Sequence, residues 1–207
     1  EESQEEVRRK ELSSADLALF RDLANTCEVG YLSIVTDEGY PRAIALNFAA
    51  VDETIYFHGA LEGEKFDLIQ ASPRAGFSIV RAYSFIPSNW SAPRYACPAT
   101  HFFKSVEIKG VCSPVEDPAE KARGLGALMA KHQPEGNYDP IDPAVPVYAK
   151  ALDGVGVFRV VPDSWTGKVK FGQNEPEKLR RIFVQKLRER GGPMDEETSR
   201  EIEKTFG

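Results

Sequence analysis

The sequence predicts a mainly β fold, a six- to seven-stranded antiparallel barrel with peripheral helices. Three observations carry that expectation. Extended apolar runs recur at 29–36, 41–51, 54–59, 75–83, 102–115, 152–161 and 164–172. The first three are joined by the tight polar turns Asp37-Glu38-Gly39 and Asp52-Glu53, the pattern of an antiparallel meander. The helical patterns stand at the edges and in the crossovers, as they do around a curled sheet. Pattern alone does not order the strands.

The chain opens with EESQEEVRRK, so 1–14 reads as a solvated polar tail. Ser13 and Ser14 are placed to cap a helix over 15–26, whose Leu17, Phe20, Leu23 and Ala24 share one face. After the meander, a short helix is expected over 63–71, ending before Ser72-Pro73, and then a strand over 75–83. Residues 84–100 carry Pro87, Pro93 and Pro98 with Trp90 and Tyr95. An irregular loop of that length usually serves function or an interface. The long strand 102–115 leads to a helix over 118–132, with Asp117 at the cap and Pro118 in the first turn.

Pro134, Pro140, Pro143 and Pro146 make 133–148 a second loop before the last two strands. Asn174 and Pro176 open a helix with Leu179, Ile182, Phe183 and Leu187 on its apolar face, and Gly191-Gly192 stops it. The final segment, 194–206, has only Ile202 and Phe206 to bury and needs a neighbour to dock on. The organisation expected is a tail (1–14), a barrel domain (15–172) and a C-terminal helical extension (173–207).

Composition excludes several classes. At about 150 residues per domain, 207 residues make one domain, or one domain with an appendage. That length buries a core without disulfides or structural metal. A mean hydropathy of −0.37, with no apolar run approaching about 18 residues, excludes a membrane-spanning helix. A net charge of −6 argues against a general nucleic-acid binder, while leaving room for a local cationic pocket. Cys27, Cys97 and Cys112 are far apart and form no CxxC, so no disulfide framework or zinc ribbon is expected. With no apolar signal core in the opening residues, a reduced, cytoplasmic setting follows as the expectation.

Motifs for hydrolysis, nucleotide phosphates and metals (GxSxG, P-loop, HExxH) are absent, and no metal is expected. His58, His101 and His132 are too dispersed to announce a metal site. Gly154-Val155-Gly156 starts like a dinucleotide fingerprint, but Arg159 replaces the last glycine and no helix follows. Strand glycines marking a bulge or a close approach explain it better.

What remains is the block 41–74. It reads as two strands, a glycine-containing turn and a helix start. Gly59 and Gly63 let backbone N–H groups approach a ligand, and Gly63, Glu64 and Lys65 sit where a helix begins. Free N–H groups and the positive end of the helix dipole suit a phosphate there, and Lys65 adds a full charge. Arg42 and His58 are further donors on neighbouring strands. A purely structural reading competes: Glu62 and Glu64 already satisfy the dipole, and Lys65 pairs with them on the surface.

The same residues carry a resemblance. Gly30-Tyr31-Leu32, Asp37-Glu38-Gly39-Tyr40-Pro41, Leu46-Asn47-Phe48, Ile55-Tyr56-Phe57-His58-Gly59-Ala60, Gly63 with Lys65, and Ser72-Pro73-Arg74 resemble the FMN-binding split-barrel superfamily. That superfamily includes pyridoxamine 5'-phosphate oxidase, and the chain is most similar to its nitroimidazole-resistance-like branch. Phe103-Lys104-Ser105-Val106 with Gly110, Glu116-Asp117-Pro118, and Trp165-Thr166-Gly167-Lys168 extend the likeness over about 15–172.

The resemblance implies a split β-barrel that binds FMN at the interface of a homodimer. It implies that Ile44, Ala45, Leu46 and Asn47 flank the isoalloxazine ring, that His58 and Gly59 line the site, and that Lys65 holds the phosphate with help from Arg42 or Ser105. Lys104 and Ser105 come from the later strand, and Trp165 and Lys168 contact the flavin. It assigns His58 to substrate chemistry, where an imidazole suits proton transfer. The expected function is an FMN-dependent oxidoreductase acting on a small organic substrate or electron donor. A non-catalytic FMN-storage protein is the alternative, and a haem-binding split barrel, with His58, His101 or His132 as axial ligand, ranks third. Two segments depart from the family pattern: the 84–100 loop, a candidate cover for the site, and the 173–207 extension, a candidate dimer arm or lid.

Overall fold

The computed structural model describes residues 9–207 of the chain, so most of the expected polar tail (1–8) lies outside the described residues. Ser13 and Ser14 do not cap the first helix. They form a two-residue strand, β1 (Ser13–Ser14), paired with Lys168 and Gly167. Asp16 caps α1 (Leu17–Thr26) instead, its carboxylate accepting the Ala18 N–H at 2.8 Å. An ionised oxygen one residue before the helix answers both the free N–H groups and the dipole, which a hydroxyl further back does not.

The meander forms as expected. Strands β2 (Val29–Val35) and β3 (Pro41–Asn47) pair from Val29↔Asn47 to Val35↔Pro41. The run 41–51 breaks at Phe48, after which β4 (Ala49–Val51) pairs with β5 (Thr54–Gly59). Then come α2 (Glu64–Ala71), β6 (Arg74–Ile86), β7 (Thr100–Pro114) and α3 (Pro118–His132). Asp117 caps α3 as expected, accepting from the Glu120 N–H at 2.9 Å.

Two expectations near the C-terminal end are corrected. The loop 133–148 and the start of the predicted strand 152–161 contain α4 (Pro146–Gly154), begun by a proline in its first turn. The buried Lys121 ammonium donates to the carbonyls of Leu152 (2.7 Å) and Val155 (3.2 Å), satisfying that helix end. The strands 152–161 and 164–172 are one strand, β8 (Gly156–Lys170). Pro162-Asp163 reads locally as a turn, but the chain stays extended through it. Helices α5 (Glu177–Arg190) and α6 (Asp195–Glu203) complete the chain, with Gly191 in the left-handed region ending α5.

The strand order is β3-β2-β6-β7-β8-β5-β4, and the registers resolved for β1–β5 are antiparallel. The two terminal strands of that path, β3 and β4, are consecutive in sequence and separated only by Phe48. A flat sheet cannot place its two ends one residue apart. The sheet therefore curls until its ends meet at Phe48, and the fold is a split β-barrel.

The chain divides into two compact units. One consists of 16–79 and 106–165. Its core includes Phe20, Leu32, Phe48, Phe57, Phe77 and Phe158, all fully buried. Phe57 and Phe158 stack with centroids 5.2 Å apart, and Phe48 meets Phe77 edge-on at 5.2 Å. The other consists of 9–15, 80–105 and 166–207, with a core that includes Tyr83, Phe102, Phe171, Phe183, Leu187 and Ile202. Here α6 finds the neighbours it needs: Ile202 enters that core, while Asp195, Thr198 and Ser199 are buried with it. Ser84 donates to Asp195 at 2.6 Å, and Arg190 donates to both carboxylate oxygens of Asp195 at 2.6 and 2.8 Å.

Candidate functional site

The block 41–74 builds a site in the first of these units. Strand β5 ends at Gly59, paired with Gly156 of β8, while His58 is paired with Val157 and exposed. The chain then turns through Gly63, whose φ of +87° suits glycine and which carries no capping side chain. The first N–H groups of α2 are thus left without a side-chain cap. Lys65, in the first turn of α2, reaches back to β5. Its ammonium rests against Gly59, in the space that a Cβ there would fill. It also lies 5.5 Å from the ring centroid of Phe57 and 5.6 Å from that of Phe158.

The surface pairing of Lys65 with Glu62 or Glu64 does not occur. Glu64 pairs with Arg42 across β3 and α2, at 3.2 Å, with both side chains exposed. Among the described residues no carboxylate lies within ion-pair distance of the Lys65 ammonium. Burial pulls its pKa down from the usual lysine value, with the nearby Cys112 opposing. The Cys112 thiol, 1% exposed, is itself pushed up to about 12 by burial and so stays protonated. The result is a half-buried cation on two aromatic faces, beside an open helix start, with no counter-ion. An anion with several oxygens would supply the missing charge and accept from the free N–H groups.

Ile44, Ala45, Leu46 and Asn47 divide between two faces of the sheet. The register sets Arg42, Ile44 and Leu46 opposite Ile34, Leu32 and Gly30, and sets Ala45 and Asn47 opposite Tyr31 and Val29. Four consecutive side chains of a strand cannot share one face. What β3 offers as a unit is its backbone, because it ends the strand path and pairs on one side with β2. The Asn47 side-chain amide donates to the Glu28 carbonyl at 3.2 Å. The Trp165 indole N–H donates to Glu53 at 2.7 Å, and its ring lies 5.6 Å from that of Phe20.

Lys104, Ser105 and Lys168 belong to the other unit. Lys104 is buried in an ion pair with Glu201 at 3.0 Å, over the ring of Tyr83. Ser105 is buried, and the Lys168 ammonium lies 5.2 Å from the Phe103 centroid. The remaining histidines contact backbone: His101 reaches the Tyr83 carbonyl at 2.8 Å and His132 the Phe48 carbonyl at 3.2 Å.

Sequence reasoning missed Phe57 and Phe158 as neighbours of Lys65. Each reads as an ordinary core residue of its strand, and only the pairing Phe57↔Phe158 brings them together. It also missed Lys131, whose ammonium lies 3.6 Å from the Phe48 centroid and donates to the Phe48 carbonyl at 2.8 Å. Burial pulls the Lys131 pKa down to about 8. A lysine in the last turn of a helix gives no local signal of such a contact. Gly154 and Gly156 were read as strand glycines marking a bulge or a close approach: Gly156 is a close approach, since a Cβ there would collide with the Gly59 carbonyl, whereas Gly154 ends α4 instead of lying in a strand.

Among the described residues, no group of three or more metal-ligating side chains is placed to hold a metal ion, and no helix is long and apolar enough to cross a membrane.

Comparison with solved structures returns the same architecture. A protein of Bacteroides thetaiotaomicron assigned to 5-nitroimidazole antibiotic resistance superposes with a TM-score of 0.62 at 21% identity, covering 76% of this chain and 86% of its own. The flavocytochrome Anf3 of Azotobacter vinelandii gives 0.65 at 18% identity, covering 80% and 72%. A FAD- and haem-binding protein of Mycobacterium smegmatis gives 0.62 at 16% identity, covering 77% and 74%. At such identities the likeness establishes the fold. No curated protein matches the sequence. The model of the pyridoxamine 5'-phosphate oxidase family matches residues 19–169, which include the meander, α2 and almost all of β8, and the chain belongs to that family.

Proposed function

We propose that the protein is a flavin-dependent oxidoreductase that binds FMN and acts on a small organic substrate. One observation carries this reading: the half-buried ammonium of Lys65, held against Gly59 at the uncapped start of α2, has no carboxylate partner among the described residues. A phosphate dianion fits that spot in charge and in the donors it meets. Family membership supports a flavin as the group that carries it. FMN in particular rests on the fit of a terminal phosphate to Lys65.

When bound, the flavin would supply hydride-transfer chemistry that no side chain offers. The protein's part is to bind, orient and shield. Lys65 holds the phosphate. Arg42 is a second cation within reach of the α2 start through Glu64. The open backbone edge of β3 offers hydrogen bonds to a flat polar ring. His58 is exposed at the end of β5, where it is free to exchange a proton with a substrate. The resemblance assigns Trp165, Lys168, Lys104 and Ser105 to the remaining contacts.

The reading includes a homodimer in the cytoplasm. Val29, Tyr31 and Val35 are exposed along the outward face of β2, interrupted by Ser33, with Asn47, Ala45, Ala43 and Pro41 opposite them on β3. A mostly apolar exposed sheet face of this kind fits an interaction surface. The test is the absorption spectrum of the purified protein, followed by mass spectrometry of what it releases. Flavin bands and released FMN are expected. A colourless protein that ignores added FMN in a titration overturns the proposal.

A further inference from the structure

Cations gather on one aromatic face in the unit built from 9–15, 80–105 and 166–207. Lys168 and Lys170 stand two residues apart on β8 and so project from the same side of the strand. Their ammonium groups lie 5.2 and 5.6 Å from the centroid of Phe103. Lys170 also donates to the Thr100 hydroxyl at 2.5 Å. Pairing of β1 with β8 sets Ser13 opposite Lys168, the segment before it turns back at Arg9, whose carbonyl accepts the Leu12 N–H, and the Arg9 charge acts on Lys170.

Several other cations of this unit sit in ion pairs. Lys104 pairs with Glu201, Arg81 with Glu197, Arg188 with Glu203 and Arg190 with Asp195. Arg9, Lys168 and Lys170 have no carboxylate within ion-pair distance among the described residues. Burial, then repulsion from Lys168 and Arg9, pulls the Lys170 pKa down. An aromatic face attracts each cation singly but does not cancel their mutual repulsion. In a chain of net charge −6, the exposed Arg9 and the half-buried Lys168 and Lys170 thus gather on one aromatic face with no carboxylate partner among the described residues.

We propose that Arg9, Lys168 and Lys170 form an anion site for a diphosphate-bearing small molecule, with Phe103 as its floor. A diphosphate carries charge comparable to the three cations and enough oxygens to meet all of them. The site uses residues of this one unit; it shares Lys168 with the flavin contacts that the resemblance assigns and does not involve Lys65.

The test is calorimetric titration of the full chain, in excess FMN so that the Lys65 site is filled, with inorganic pyrophosphate and, separately, with ADP at low ionic strength. One-to-one binding that weakens with added salt is expected. Lys170→Gln and Arg9→Gln should each weaken it about tenfold, as for one lost charge-assisted contact. Lys65→Ala should leave it unchanged. Tighter binding of ADP than of pyrophosphate assigns a nucleotide to the site, and equal binding assigns the diphosphate group alone. No heat at millimolar pyrophosphate, full affinity in both variants, or loss of binding in Lys65→Ala overturns the proposal. FMN titration of Lys170→Gln keeps the two sites distinguishable, because the flavin reading predicts that Lys65, not Lys170, sets FMN affinity.

Discussion

The ammonium of Lys65 occupies the space in which residue 59 would carry its Cβ, so Gly59 and Lys65 act as a pair. The glycine makes room for the cation. The cation then lies on the rings of Phe57 and Phe158 at the end of β5.

Lys65→Ala removes the charge that rests on the Phe57 and Phe158 rings and leaves the core side chains themselves unchanged. FMN affinity should fall by about one to two orders of magnitude, the worth of one charge-assisted contact. Quenching of flavin fluorescence on titration measures this. Unchanged affinity would move the phosphate elsewhere.

Gly59→Ala tests the same relationship from the other side. The added methyl displaces the Lys65 ammonium while every charge is kept. FMN binding should weaken by about three- to tenfold, with the far-ultraviolet spectrum preserved. If Gly59→Ala binds FMN as the parent does, the resting place of Lys65 does not matter to the ligand.

His58 is exposed at the end of β5. His58→Ala should keep its flavin and lose turnover, read as flavin content against the rate of nicotinamide-dependent reduction and reoxidation. Loss of the flavin itself would give His58 a binding role instead.

Tyr31 stands opposite Ala45 on the outward face of the meander and is exposed. Tyr31→Glu places a charge in the middle of that apolar face. Light scattering should show the parent as a dimer and the variant as a monomer. A parent that is already monomeric sinks the dimer proposal.

Asp195 ties α6 in place through Arg190, Ser84 and the Gly192 N–H. The Arg190 guanidinium, with those hydrogen bonds, holds its carboxyl down at about 2, below the ordinary 3.8. A depressed carboxylate contributes stability that is present above the unfolded pKa and is lost as pH falls through the folded one. Asp195→Asn should therefore lose about 2 kcal/mol at neutral pH. The deficit should shrink between about pH 4 and pH 2. Melting curves across that range check both the size and the sign.

Much of the site was legible in sequence because its signals are local. Gly59, Gly63 and Lys65 fall within seven residues, and a turn, a helix start and a positive charge need no distant partner to be recognised. The helix starts with an acidic cap and proline were likewise readable, as at Asp117-Pro118. The reading failed where a local preference was overruled. Ser13 and Ser14 read as caps, but backbone pairing with β8 claimed them. Pro162 read as a break, but β8 ran through it.

By itself, the sequence determined the meander, the glycine-bounded start of α2 and the place of Lys65 in its first turn, since each depends on residues a few positions apart. Only the tertiary structure decided that Phe57 meets Phe158, that Glu64 takes Arg42 and leaves Lys65 without a counter-ion among the described residues, and that the strand path closes on Phe48. Those outcomes follow from register between segments about a hundred residues apart, or from competition among several charges for one partner. Neither leaves a trace in local pattern, because the energy that settles them is gained only once the chain has folded.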